Sequence, residues 1–201
     1  MSAGDHFATE ASDYAGRSDR GLWSWWRGRE RSAIWRLLRP AAGERVLDAG
    51  SGAGYYSRSL IQSGAQVIAC DYVPAMAAEV HARLGLPVFV ADLQAVGLQP
   101  AFDAVLCAGA LEFCADPETA IANLAVGLKP EAHARLVLML PAPSWLGLGY
   151  RAFHRRHGVG IQLFSQSRLR SAAGACGLRV AEWSAVGFNH VVRLERGADS
   201  R

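Results

Sequence analysis

Short apolar runs alternate with stretches whose apolar residues recur every three or four positions, and the rhythm holds through most of the chain. The runs Val46 to Ala49, Gln66 to Cys70, Pro87 to Ala91, Ala104 to Ala108 and Arg135 to Leu140 read as buried strands. Between them, Tyr55 to Gln62, Pro74 to about Leu84 and Pro117 to Leu128 read as helices, with Pro74 suited to a first helical turn. That alternation predicts a parallel sheet covered by helices on both faces. The last quarter departs from it. A helix over Gln166 to Ala175 is followed by strands at Leu178 to Ala185 and His190 to Glu195, joined by the turn Val186-Gly187-Phe188-Asn189. A hairpin there inserts an antiparallel strand into the sheet.

Ahead of the first strand, Leu22, Trp23, Trp26, Ala33, Ile34, Leu37 and Leu38 recur at mixed three- and four-residue steps, with Arg27, Arg29, Glu30, Arg31 and Arg36 between them. They predict one or two amphipathic helices ending at Pro40. Residues 1 to about 20 are small, polar and charged, and the first several are expected to fray. No internal repeat interrupts the pattern, so 1–201 reads as a single domain with an N-terminal helical cap over 1–40 and a lid-like insertion over 141–164. A chain of 201 residues, 51% hydrophobic and 19% charged, suffices for one sizeable core.

The net charge of +3 is too small and too dispersed for a nucleic-acid reader. Cys70, Cys107, Cys114 and Cys176 show neither C-x-x-C spacing nor a disulfide framework, and the six histidines form no zinc-like spacing with carboxylates, so no metal is expected. The longest uncharged run, Leu136 to Tyr150, contains two prolines and falls short of the roughly 20 residues a spanning helix needs. With no secretory pattern at the N-terminus, the cytoplasm is the expected address.

The chemistry concentrates at Arg45-Val46-Leu47-Asp48-Ala49-Gly50-Ser51-Gly52-Ala53-Gly54-Tyr55-Tyr56, followed by Asp71 at the end of the next strand. A strand, glycines at alternate positions, a helix and a second strand closed by a carboxylate form the opening of a nucleoside-binding α/β unit. A dinucleotide site wants G-x-G-x-x-G, and Tyr55 stands where its third glycine belongs. Asp48 would repel a pyrophosphate but could hold an ammonium group, directly or through water. A ligand with an amino acid at one end and a ribose at the other fits better, Asp71 accepting from the ribose hydroxyls.

With these motifs the chain resembles the class I S-adenosylmethionine-dependent methyltransferases, of the small-molecule type 11 and type 12 branch. Val46 to Gly54 is similar to the family's first motif, and Asp71-Tyr72 with Met76 to the acidic strand end and the start of the next helix. Ala91-Asp92-Leu93 resembles the segment that meets the adenine, and Phe102 to Phe113 the fourth strand and the loop lining the methyl-transfer site, Cys107 included. The resemblance implies a Rossmann-like seven-stranded, mostly parallel sheet with helices on both faces and a C-terminal antiparallel hairpin. It implies S-adenosylmethionine as cofactor, held by Asp48, Gly50, Ser51, Gly52, Gly54, Asp71, Tyr72, Met76, Asp92, Leu93 and Cys107. An N-terminal tyrosine folds over the cofactor in a similar family segment, which places Tyr14 in the set. Many relatives carry Glu-His where this chain has Glu112-Phe113, so no base carries over to position 113.

Glu112 is the candidate for orienting the acceptor, and His154 or His157 for a general base. Glycines and aromatics over 141–164 suit an apolar cover, and Arg151, Arg155 and Arg156 suit an anionic group, a solvated basic helix being the plainer reading of the same stretch. Trp23, Trp25, Trp26 and Trp35 read most simply as a helix packed on the sheet, with an apolar pocket roof or a peripheral membrane contact as the sharper alternatives. The expected activity is methyl transfer to an oxygen, nitrogen or carbon nucleophile of a small or lipid-like acceptor. A non-catalytic cofactor-binding partner or regulatory subunit is the alternative, and an NAD-dependent oxidoreductase stands third.

Overall fold

A computed structural model describes residues 22–197, with side chains from Trp25 onward; Tyr14 lies outside the described residues. In chain order the elements are α1 (Leu22–Leu38), β1 (Arg45–Ala49), α2 (Tyr55–Gln62), β2 (Gln66–Asp71), α3 (Pro74–Leu84), β3 (Val88–Val90) and β4 (Ala104–Ala108). A short 3₁₀ turn (Leu111–Phe113) follows, then α4 (Pro117–Val126), β5 (Arg135–Pro141), α5 (Trp145–Arg156), α6 (Gln166–Ala175), β6 (Leu178–Val186) and β7 (Asn189–Arg196). The strands form one seven-stranded sheet in the order β3-β2-β1-β4-β5-β7-β6. Strands β1 to β5 pair in parallel, and β7 runs antiparallel to both β5 and β6.

Alternate side chains of each strand face opposite layers. Leu47, Val105, Cys107, Leu136, Leu138, Val192 and Leu194 pack with α4 and α6, which contribute Ile121, Leu124 and Leu169. Val46, Val67, Ala69, Leu106, Val137 and Val191 pack on the other face, under Ile34, Leu37 and Leu38 of α1 and Leu60 of α2. Burial on both faces explains the unbroken apolar runs of the central strands.

The segment Leu22 to Leu38 is one continuous helix. Its last carbonyls, which have no partner within the helix, are taken up by arginines of the sheet. Arg193 donates to the Leu37 carbonyl at 2.8 Å, and Arg135 donates to the carbonyls of Leu38 and Arg39 while clasping Glu44 through both terminal nitrogens. Arg135 is buried, and these partners offset the cost of burying its charge. Trp26 stacks on Phe188 in the β6–β7 turn, and Gly187, at φ 58°, leaves the space its ring fills. Trp35 is half-buried against the α1 layer, whereas Trp25 is exposed.

The insertion over 141–164 holds a helix, α5, with a basic last turn, in line with the plainer reading of that stretch, though the apolar pattern does not mark its bounds. Ser144 caps it by accepting from the Gly147 N–H, but its large apolar residues lie on the outer face, so no inward stripe marks it in the sequence.

Replacing Arg135 with alanine leaves Glu44 and two helix-end carbonyls without their donor and should lower unfolding stability by about 3 kcal/mol. Burial would raise the Glu44 carboxyl, but Arg135 and the Ala41 N–H hold it below its ordinary 4.5. Its contribution is therefore present above that value and lost as pH falls through the lowered one. Chemical denaturation at neutral and acid pH should show the gap between wild type and variant narrowing in acid.

Candidate active site

Strands β1 and β4 are neighbours at the centre of the sheet, and the helices that follow them leave for opposite faces. A crevice therefore opens outside their carboxyl ends, where open α/β sheets bind ligands. The loop after β1 forms one wall. Gly50 turns there at φ 72°, and a Cβ on it would lie 2.3 Å from the Ala110 Cβ. The Gly50 and Ser51 N–H groups both donate to the Cys70 carbonyl at 2.9 and 3.0 Å, which fixes the loop to the end of β2. One oxygen of Asp71 accepts from the Gly52 N–H at 2.8 Å and the other from the Val73 N–H at 2.9 Å. Burial raises the Asp71 carboxyl, opposed by these N–H groups. Ser51 Oγ is buried at this wall without a partner among the described residues.

Asp48 sits behind the loop, buried, and accepts from Ser57 Oγ at 2.5 Å. Burial pushes its carboxyl up to about 6, opposed by Ser57 and reinforced by the charge of Asp71.

The opposite wall follows β4. Glu112 lies in the 3₁₀ turn, 5% exposed, and its Oε2 has no hydrogen-bond partner among the described residues. Burial pushes its carboxyl up to about 7, with its own backbone N–H opposing and the charge of Glu30 adding. Glu30 comes from α1 and is buried too, one oxygen accepting from Trp26 Nε1 and from Asn189 Nδ2, each at 2.9 Å. Above these carboxylates runs a ladder of rings. Trp26 lies 6.3 Å from Phe188, Phe188 4.8 Å from Tyr150, Tyr150 4.5 Å from His154, and His154 6.0 Å from Phe113. A strap beyond α5 holds this cover in place: the Gln162 N–H donates to the Glu112 carbonyl at 2.8 Å, and its side-chain amide to the carbonyls of Cys114 and Ala115.

The site thus pairs a glycine loop and an acidic strand end with two buried carboxylates and a run of aromatic rings. A family model described as a methyltransferase domain matches residues 47–136, the span from β1 through the start of β5. A ubiquinone biosynthesis O-methyltransferase from Chromobacterium violaceum is 31% identical over 172 residues, covering 76% of this chain and 72% of that protein. The chain belongs to the class I S-adenosylmethionine-dependent methyltransferases. It spans about half the length of other relatives that carry the same name.

Solved structures agree on the fold. The partner of the Haloferax volcanii Trm112 methyltransferase activator superposes with a TM-score of 0.78 at 20% identity, covering 94% of this chain and 96% of its own. Magnesium protoporphyrin IX methyltransferase from Synechocystis PCC 6803 with bound S-adenosylhomocysteine gives 0.74 at 20% identity, covering 96% and 97%. The methyltransferase cofactor is S-adenosylmethionine.

The glycine positions, Asp71 and the spare Ser51 hydroxyl suit such a ligand. Tyr72, next to Asp71, is exposed, and Met76 is buried in the first turn of α3. Asp92 stands beyond the β3 end, one oxygen accepting from the Gln94 N–H at 2.9 Å and both from the Gln94 side-chain amide at 3.1 and 3.3 Å. Two of the expected cofactor contacts have their side chains in the core. The Cys107 thiol is fully buried in the apolar core, and Leu93 is buried there too, its carbonyl taken by Asn123. Neither presents its side chain to the crevice, because both belong to the layer that packs with α4. The two histidines also part company. His154 joins the ring ladder, whereas His157 caps the far end of α5, exposed, with Nδ1 on the Phe153 carbonyl at 2.9 Å.

Glu30, Asn189, Phe188 and Tyr150 are the site residues that sequence reasoning missed. Glu30 reads as one more charge on a solvated helix face, and only its position beside Trp26, four residues earlier, hints at a buried pair.

Gly50→Ala should weaken binding of S-adenosylmethionine by at least about tenfold, since the added methyl must displace either the loop or Ala110. Titration calorimetry on the folded variant checks this, with Gly97→Ala, where the space is open, as the matched control.

Proposed function

We propose that the methyltransferase acts on a small or amphiphilic acceptor whose nucleophilic oxygen or nitrogen carries a proton, and that Glu112 receives that atom. The observation that carries this reading is the unpartnered Oε2 of Glu112, buried at the carboxyl end of β4. A carboxylate in that position is costly unless a donor arrives, and a substrate hydroxyl or amine is such a donor. The relative named for O-methylation in ubiquinone biosynthesis supports an oxygen nucleophile. The rings of Tyr150, His154, Phe113 and Phe188 supply apolar walls for a flat or partly apolar molecule.

In this reading Gly50, Ser51, Gly52 and Gly54 cradle the amino-acid half of the cofactor, with Asp48 behind them as the balancing carboxylate. Asp71 accepts from the ribose hydroxyls, Asp92 from the adenine amine, and Tyr72 and Met76 flank the base. The cofactor supplies a sulfonium that is already a good electrophile. The chain has then to align the nucleophile, exclude water and take up one proton. The ring ladder and the Gln162 strap cover the compartment, and Glu112 takes the proton as the carbon–oxygen or carbon–nitrogen bond forms and the carbon–sulfur bond breaks. His154, within the ladder, steers the acceptor ring.

A panel of phenols, amines and carboxylates, read as release of S-adenosylhomocysteine, tests the acceptor class; methylation confined to protein or RNA would overturn it. With an acceptor in hand, Glu112→Gln should lower kcat by about 10²–10³-fold while cofactor affinity holds. The active form of Glu112 is the carboxylate, so wild-type kcat should rise with pH and level off above about 7. The variant should lack that rise.

A further inference from the structure

Nine large apolar side chains stand exposed among the described residues, and four of them, Trp145 (83%), Leu146 (56%), Leu148 (46%) and Phe153 (59%), lie on α5. At 100° per residue, the inward-facing Gly147, Tyr150 and His154 fall within an arc of roughly 60°. The four apolar residues spread over the rest of the helix, from Leu148 through Trp145 to Phe153 and Leu146, an arc of roughly 160° that comes within about 40° of Tyr150. Arg151 and Arg155 line its Leu148 edge, and Arg156 lies within it at the C-terminal end. The helix contains no acidic residue, and none of the three arginines is paired with a carboxylate among the described residues.

We propose that the outer face of α5 docks on an anionic lipid surface. A tryptophan and a phenylalanine on one side of a helix, with arginines at its flank, match a helix lying in the bilayer interface. The guanidinium groups meet lipid phosphates, and their stems lie along the acyl boundary. Charge decides against a second copy of this chain: a symmetric contact through α5 would set unpaired arginines against their own counterparts. No helix among the described residues is long and apolar enough to cross a membrane, so the helix rests on the surface. The peripheral membrane contact weighed for the tryptophan-bearing α1 thus moves to α5, since Trp26 and Trp35 are engaged inside the protein.

The consequence for catalysis rests on the acceptor reading above. The other face of α5 carries Tyr150 and His154, which belong to the ring ladder over Glu112. Docking would place the compartment's cover against the bilayer, so that an amphiphilic acceptor dissolved in lipid reaches Glu112 without crossing water.

The test is co-sedimentation of the full chain with vesicles of phosphatidylcholine alone and of phosphatidylcholine with an equal part of phosphatidylglycerol. The protein should pellet with the mixed vesicles, less so in high salt, and stay in solution with the neutral ones. A Trp145→Asp, Phe153→Asp double variant and, separately, an Arg151→Glu, Arg155→Glu variant should each weaken binding by more than about tenfold while melting as the wild type does. Failure of the wild type to pellet, or pelleting that neither variant changes, would overturn the proposal. A wild-type dimer that the variants convert to monomer would overturn it in favour of self-association. Calorimetry with S-adenosylmethionine on the same samples keeps a failed surface distinct from a failed cofactor site.

Discussion

The Asp71 carboxylate at the end of β2 accepts the Gly52 N–H on one oxygen and the Val73 N–H on the other, so one buried anion holds the loops after two adjacent strands. Much of the site depends on that arrangement. Burial makes the charge costly, and the backbone donors offset the cost only in part, leaving the carboxylate with acceptor capacity to spare. The glycine loop can approach β2 this closely because Gly50 and Ser51 share the Cys70 carbonyl and because no side chain stands between Gly50 and Ala110. Parallel pairing of β1 with β2, from Arg45 opposite Gln66 to Ala49 opposite Cys70, sets the register that brings these groups together.

The second half of the site is assembled from parts far apart in sequence. Asn189 begins β7 opposite Pro141 at the end of β5, so the tip of the antiparallel hairpin lies at the same edge of the sheet as the parallel strand ends. From there it reaches Glu30 on α1, and the neighbouring Phe188 bridges Trp26 to Tyr150. The antiparallel strand thus does more than extend the sheet: it carries the turn on which the N-terminal helix and α5 both rest. Glu30 and Glu112, two buried carboxylates whose charges sense each other, are the electrostatic result.

The layered sheet was legible because burial on both faces makes its strands read as continuous apolar runs, and positive-φ turns require glycines whose spacing is visible. The first strand and the helices α2, α3 and α6 lie where periodicity predicts them, and α4 stops two residues short of its predicted end. What escaped was of two kinds. Helix α5 was legible as a basic helix but not in its bounds or packing, because it turns its apolar residues outward and a pattern that assumes burial cannot place it. The Glu30–Asn189 contact spans 159 residues, and apart from Trp26 four positions before Glu30 neither partner carries a local signal that it is buried. Cys107 shows the converse: a matching motif position names a neighbourhood, whereas strand alternation decides which way the side chain points.

The proposed seat of S-adenosylmethionine lies between the glycine loop and the ends of β2, β3 and β4. Amide hydrogen exchange with and without S-adenosylhomocysteine tests it most directly, because it reads each segment separately in the intact chain. The account predicts slower exchange over residues 49–55, 72–74, 92–94 and 109–113, with the α4–α6 side unchanged. Protection confined to the groove lined by Glu118, Ala122, Arg168 and Ser171, or protection nowhere with the ligand in excess, would contradict it.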